Sequence, residues 1–205
     1  MKNTDIQALL FDMGGVVIEI DFTRAFAVWA EHSTLSVSQI MQSFSMDQPY
    51  QRHERGEINR TEYFDHLRQT LQLQCDDQTI KTGWNSIYGN EITSTVNVIQ
   101  KLKASIPCYA FTNSNPTHKM SYTKKFPNVI QTFERIFVSS DLGHRKPEKA
   151  AFQIISQTIE TKPKHILFFD DSTENIEGAK SAGLKAVHVS SPKDVVRALG
   201  EFHIL

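Results

Sequence analysis

Five short, mostly apolar runs constrain the fold of this chain more than any other feature: residues 6–11, 108–111, 135–138, 166–169 and 186–189. Each shows little polar alternation, which is what a parallel strand covered on both faces requires. The intervening segments read as helices, as in the amphipathic stretch 92–104 and in 175–182. Strands alternating with helices imply right-handed crossovers and an α/β fold. The expected architecture is a Rossmann-like, three-layer α/β/α arrangement, a parallel sheet between two layers of helices.

The stretch between the first two runs has a different character. Apolar residues recur there at helical spacing: Phe22, Phe26, Trp29 and Ala30, then Val37, Ile40, Met41 and Phe44, then Tyr63, Phe64, Leu67 and Leu71. Three or four short helices are predicted. One should start near Arg60, because Asn59 and Glu62 have capping-box spacing. The expected organisation is a core domain, residues 1–20 and 89–205, with an all-helical cap, residues 21–88, inserted after strand one and lying over the carboxyl edge of the sheet.

Charge and composition exclude several function classes. A net charge of -1 over 205 residues offers no basic field for nucleic acid or an anionic membrane. The apolar runs are too short to span a bilayer, and residues 1–5 lack the apolar centre of a secretory signal. A cytoplasmic protein is expected. Cys75 and Cys108 lie too far apart in sequence, with no second pair nearby, to suggest a disulfide framework or a thiolate zinc site. Both read as packing residues in a reducing compartment.

The chemistry-bearing residues stand at or beyond the ends of the apolar runs. Asp12 closes the first and is followed by Gly14 and Gly15. Ligands bind at the carboxyl ends of parallel strands, and glycine backbone can approach them closely; an Asp ending a strand in a tight turn would look the same. Thr112 and Asn113 follow the second run and supply a hydroxyl and backbone donors for phosphate oxygens, or simply a turn. Lys146 precedes Pro147, read as the first position of a helix, so that ammonium and helix N-terminus point the same way; a solvated surface lysine is the alternative. Asp170 and Asp171 end the fourth run. Adjacent carboxylates repel unless a cation sits between them, and capping a helix needs only one acid.

In this order the four positions resemble the haloacid dehalogenase superfamily, whose motifs are an aspartate nucleophile, a Thr or Ser, a Lys and an acidic pair. More narrowly, Phe11-Asp-Met-Gly-Gly-Val-Val-Ile-Glu-Ile-Asp-Phe22, His53-Glu-Arg-Gly-Glu-Ile58, Asp141-Leu-Gly-His-Arg-Lys-Pro-Glu148 and Phe168-Phe-Asp-Asp-Ser-Thr-Glu-Asn-Ile-Glu-Gly-Ala179 are similar to the bacterial α-D-glucose-1-phosphate phosphatase branch. That branch is in turn similar to the phosphatase-like domain of soluble epoxide hydrolases. The resemblance implies a nucleophilic Asp12 that forms an aspartyl-phosphate. It implies Mg2+ held by Asp12, Asp170, Asp171 and the Gly14 carbonyl, with Asn175 orienting a metal ligand. Thr112, the Asn113 amide and Lys146 would hold phosphate oxygens. The implied partner is a small phosphorylated metabolite, a sugar phosphate such as α-D-glucose 1-phosphate, acted on by a monomer or weak homo-oligomer. Residues 51–58 would select the substrate, with His53 or Arg55 reaching a sugar hydroxyl or sharing in proton transfer, and Gly56 marking a turn. A solvated loop between helices is the other reading of that segment.

One position departs from the superfamily pattern. Most of its phosphatases carry a second Asp, two residues after the nucleophile, that protonates the leaving oxygen and activates water; here that residue is Gly14. A sugar 1-phosphate would tolerate the loss best, because an anomeric oxygen leaves more readily than an ordinary alkoxide. Two rival functions stand beside the phosphatase. A metal-independent 2-haloacid dehalogenase would use the same Asp12 on carbon but has no use for the Asp170-Asp171 pair. A noncatalytic binding or regulatory module would have kept the fold and lost turnover with Gly14.

Overall fold

The computed structural model describes residues 5–205. Its strands are β1 (Ala8–Phe11), β2 (Ile18–Ile20), β3 (Tyr88–Glu91), β4 (Cys108–Thr112), β5 (Arg135–Val138), β6 (Ile166–Asp170) and β7 (Lys185–His188). Five of them form one sheet in the order β5-β4-β1-β6-β7, every neighbouring pair parallel. These are the five apolar runs, with ends shifted by at most two residues.

Side-chain alternation along β1 sends Leu9 and Phe11 to one face and Ala8 and Leu10 to the other. Leu9 and Phe11 pack with Val96, Ile99, Val195 and Leu199; Ala8 and Leu10 pack with Phe152, Ile155, Ile176 and Ala179. Helices Thr93–Leu102 and Pro192–Glu201 therefore cover one face, and Lys149–Thr158 and Thr173–Ser181 the other. This is the three-layer α/β/α fold. The central strand β1 is flanked by β4 and β6, whose connections run to opposite edges, so the crevice outside its carboxyl end is a topological switch point.

A second, two-stranded sheet follows β1. β2 and β3 are antiparallel and pair Ile18 with Glu91 and Ile20 with Tyr88. Sequence reasoning missed it, because strands this short have no periodic signal and Tyr-Gly-Asn-Glu has little strand preference. Between β2 and β3 lie five helices rather than three or four: Thr23–Ala30, Val37–Ser43, Gln48–Glu54, Arg60–Leu71 and Asp77–Asn85. The start at Arg60 has its capping box, with Asn59 Oδ1 accepting from Glu62 N at 3.1 Å and Glu62 Oε2 from Asn59 N at 2.8 Å. Helix Gln48–Glu54 carries a start signal of its own, Asp47 accepting from Tyr50 N at 3.0 Å with Pro49 in the first turn. The five helices share an aromatic centre in which Trp29 and Trp84 stack at 5.9 Å, with Phe22, Phe44, Tyr50 and Tyr63 around the pair. Among the described residues no helix is long and apolar enough to cross a membrane, and Cys75 and Cys108 are free thiols.

Candidate active site

The carboxyl ends of β1, β4 and β6 open into a cavity of about 360 Å³. Asp12, Gly14, Thr112, Asn113, Lys146, Asp171 and Asn175 line it from the sheet side, and Phe22, Met46, Tyr50 and Glu54 from the helical insertion. Asp12 is held in line by the sheet, its N–H donating to the Phe169 carbonyl at 2.8 Å. The buried Asp170 ends β6, and its carboxylate accepts from Ser172 N at 2.8 Å and from Asn175 Nδ2 at 3.0 and 3.1 Å. Asn175 sits on helix Thr173–Ser181, so that helix orients the Asp170 carboxylate.

Lys146 is not a surface lysine. Its side chain is 1% exposed and its Nζ lies 2.7 Å from both Asp12 Oδ1 and Asp170 Oδ2. The Asn113 side chain clamps the Lys146 backbone, accepting from its N–H at 2.8 Å and donating to its carbonyl at 3.0 Å. The following helix begins at Lys149, not at Pro147. The clamped Lys146 backbone and the non-helical Glu148 (φ -59, ψ 123) keep residues 146–148 outside that helix.

Three carboxylates, those of Asp12, Asp170 and Asp171, bring oxygens within 4.8 Å of one another. Asp171 comes this close because Gly15, at φ +72, has no side chain: a Cβ there would lie 2.1 Å from Asp171 Oδ2. Burial pushes the Asp12 carboxyl up to about 8, with Lys146 opposing and Asp170 adding to the rise. Asp171 is also held up, by burial and then by Asp170. Burial pulls Lys146 down, but Asp12 and Asp170 outweigh it and leave its ammonium above the ordinary lysine range. Fully ionised, as a bound cation would make it, the cluster would carry more negative charge than one ammonium neutralises. A compact set of oxygen donors with surplus charge fits a hard divalent cation such as magnesium.

The insertion does not place His53 or Arg55 on this cavity. His53 is 2% exposed, stacks on Tyr63 at 4.6 Å and points Nδ1 at the Ile58 carbonyl at 3.2 Å; it lines a separate cleft with Asn59, Arg60 and Lys81. Arg55 pairs with Glu57 at 2.6 Å and Glu148 at 3.1 Å. Helical geometry explains the difference. On Gln48–Glu54 the residues four apart share a face, and the face on the cavity is that of Tyr50 and Glu54. Glu54 is 5% exposed and accepts from Arg145 Nε at 2.7 Å. His118, which also lines the cavity, was missed as well; its ring stacks on Trp84 at 4.5 Å and its Nε2 meets the Trp84 carbonyl at 2.9 Å. The Asp47-Gln-Pro helix start would have set the register that picks out Glu54. Nothing local marks His118, whose place follows from packing against Trp84.

Known proteins share the fold. A HAD family enzyme from Bacteroides thetaiotaomicron, solved in complex with magnesium and inorganic phosphate, superposes with a TM-score of 0.79 at 27% identity over 89% of this chain and 93% of its own. The D-ribitol-5-phosphate phosphatase of Bacteroides thetaiotaomicron is 21% identical over 194 residues, 92% of this chain and 94% of that protein. L-2-haloacid dehalogenase from Xanthobacter autotrophicus, with a TM-score of 0.68 at 16% identity over 98% of this chain and 84% of its own, shares the fold. The sequence profile of the haloacid dehalogenase-like hydrolases matches residues 6–183, a span that holds Asp12, Thr112, Lys146, Asp170 and Asp171, and with that match the chain belongs to the haloacid dehalogenase-like hydrolase family.

Proposed function

We propose that this hydrolase is a magnesium-dependent phosphatase acting on a small phosphorylated metabolite, a sugar phosphate such as α-D-glucose 1-phosphate being the leading candidate, through an aspartyl-phosphate on Asp12. The convergence of Asp12, Asp170 and Asp171 around one buried lysine carries this reading. Displacement at carbon has no need of such a cluster, which sets the phosphatase ahead of the dehalogenase. The D-ribitol-5-phosphate phosphatase relative and the magnesium and phosphate complex of the Bacteroides enzyme support the same choice.

Asp12 attacks phosphorus in line, and water then hydrolyses the acyl phosphate. Magnesium, held by Asp12, Asp170, Asp171 and the Gly14 carbonyl, would neutralise phosphate charge that otherwise repels a carboxylate nucleophile. Thr112 and the Asn113 amide hold the oxygens that become equatorial, and Lys146 keeps Asp12 oriented while offsetting its charge. Residues 21–88 act as a cap over a core of residues 1–20 and 89–205. In that cap Tyr50 and Glu54 face the substrate. Arg55 ties the cap to Glu148, and His53 supports the helix from behind.

The test is turnover of p-nitrophenyl phosphate and of a panel of phosphorylated sugars and polyols by the purified protein. Activity that needs magnesium, stops with EDTA and is lost in Asp12→Asn is expected. Metal-independent release of chloride from chloroacetate would support the dehalogenase instead, and no turnover of any substrate would favour a binding module.

A further inference from the structure

We propose that Glu54 is the general acid and base of this site, supplying from the helical insertion the proton that Gly14 has no side chain to give. The inference rests on the phosphatase reading above and deepens it. Position 14 offers no acid, and a Cβ there would lie 3.0 Å from Ile20 Cγ1, which would have to give way. An acid must therefore come from elsewhere on the cavity wall. Four carboxylates line that wall: Asp12, Glu54, Asp171 and Glu174. Asp12 and Asp171 belong to the acidic cluster, and Glu174 is exposed in the first turn of its helix. Only Glu54 is both buried and outside the cluster.

Burying a carboxylate is costly unless something holds it in place for a reason. Arg145 holds this one, at 2.7 Å, and Arg145 is the residue before Lys146, whose ammonium touches Asp12 at 2.7 Å. Two consecutive residues thus fix the proposed acid and the nucleophile relative to each other across one cavity. Burial also keeps the Glu54 carboxyl above the ordinary glutamate range, against the pull of Arg145, Tyr50 and Lys146, which suits a group that gives and takes a proton near neutrality.

The proton balance closes over two steps. A bond forms from Asp12 to phosphorus as the phosphorus–ester oxygen bond breaks, and the electron pair of that bond goes to the ester oxygen, which takes the proton of Glu54 and departs as the alcohol. Glu54, now a carboxylate, accepts a proton from water as the water oxygen bonds to phosphorus. The bond from phosphorus to Asp12 breaks, phosphate leaves, and Glu54 is again protonated.

The experiment compares the magnesium-loaded wild type and Glu54→Gln on a series of phosphate monoesters from p-nitrophenyl phosphate to simple alkyl phosphates. A group that protonates the leaving oxygen matters most when the alcohol is a poor leaving group. The expected loss in kcat/KM therefore grows along the series and reaches about a hundredfold or more for the alkyl esters. Wild-type rates should depend only weakly on the acidity of the alcohol, a measurement that needs no variant. Glu54→Asp, with a shorter reach, should fall between the two. A uniform loss along the series, as expected if the Glu54–Arg145 pair only latches the insertion to the sheet, would overturn the proposal. So would a steep dependence in the wild type. Turnover that survives Asp12→Asn would instead sink the phosphatase reading itself, and the role of Glu54 with it.

Discussion

Lys146 Nζ donates to Asp170 Oδ2 at 2.7 Å, and the two side chains are 1% and 0% exposed. The same ammonium reaches Asp12, so one cation bridges two buried acids. Removing one partner of a buried ion pair leaves an uncompensated charge and costs about 3–5 kcal/mol. Lys146→Met is therefore expected to lower the metal-free stability by that amount, measured by urea unfolding, and to reduce kcat about a hundredfold or more. Magnesium should restore part of the stability and little of the rate. A variant as stable as the wild type without metal would show that the Lys146 ammonium does not stabilise the folded cluster.

Metal binding should release a proton. In the metal-free protein burial holds the Asp12 carboxyl at about 8, so near neutrality most molecules carry that proton, and a metal ligand must lose it. Calorimetric titration with magnesium near pH 7, in buffers of different ionisation enthalpy, is expected to show release approaching one proton per ion. Affinity should tighten as pH rises toward 8 and level off above it. In Asp12→Asn the release should fall, and a release equal to that of the wild type would rule Asp12 out as its source.

How much of this was legible beforehand depends on the range of the forces involved. The inner strands β4, β1 and β6 were readable because a strand buried on both faces writes a continuous apolar run, while the partly exposed edge strands β5 and β7 left the mixed runs Arg-Ile-Phe-Val and Lys-Ala-Val-His; the acids at the inner strand ends follow at once: Asp12 after Phe11, Asp170 after Phe169. Lys146 was harder. By composition it is a surface residue, and only the sheet order, which sets β1 between β4 and β6, encloses it among Asp12, Asp170 and the Asn113 clamp. The insertion was least legible. His53 and Arg55 drew attention as chemically able residues, yet the helix register of Gln48–Glu54 turns Glu54 to the cavity, and that register is set by Asp47 and by packing among Tyr50, Tyr63 and Trp84.

Acid should weaken the fold through His118. Burial lowers its ring from 6.5 to about 3, despite the bond to the Trp84 carbonyl, so the folded chain keeps it neutral where the unfolded chain protonates it. The unfolded state then binds the extra proton between these values. The stability due to the neutral ring is fully present above 6.5 and is lost as pH falls toward 3. From the top of that window to about pH 5 the loss is about 2 kcal/mol. His118→Gln, which cannot titrate but can still donate to Trp84, should show a pH dependence of unfolding smaller by that amount. Equal slopes for variant and wild type, in urea midpoints across this interval, would assign the acid lability elsewhere.

The insertion meets its own limit at Gly83, inside helix Asp77–Asn85, where a Cβ would lie 2.3 Å from Trp29 Nε1 and 2.6 Å from Trp29 Cδ1. Two effects oppose each other when Ala replaces it. Helix propensity favours Ala over Gly by about 1 kcal/mol. Overpacking a buried site costs about 1–3 kcal/mol, and the indole has no room to swing because Trp29 is fully buried and its N–H is committed to the Ile80 carbonyl at 3.2 Å. Sterics should win, and Gly83→Ala is expected to destabilise by about 1–2 kcal/mol. The displacement would also reach the cavity, because Trp29 stacks on Trp84, and Trp84 carries both His118 and the edge of Phe22. Substrate KM should therefore rise while magnesium affinity, set by the sheet-borne carboxylates, stays near the wild-type value. Thermal unfolding and steady-state kinetics check both halves; an Ala variant more stable than the wild type would mean that the Trp29 ring yields freely.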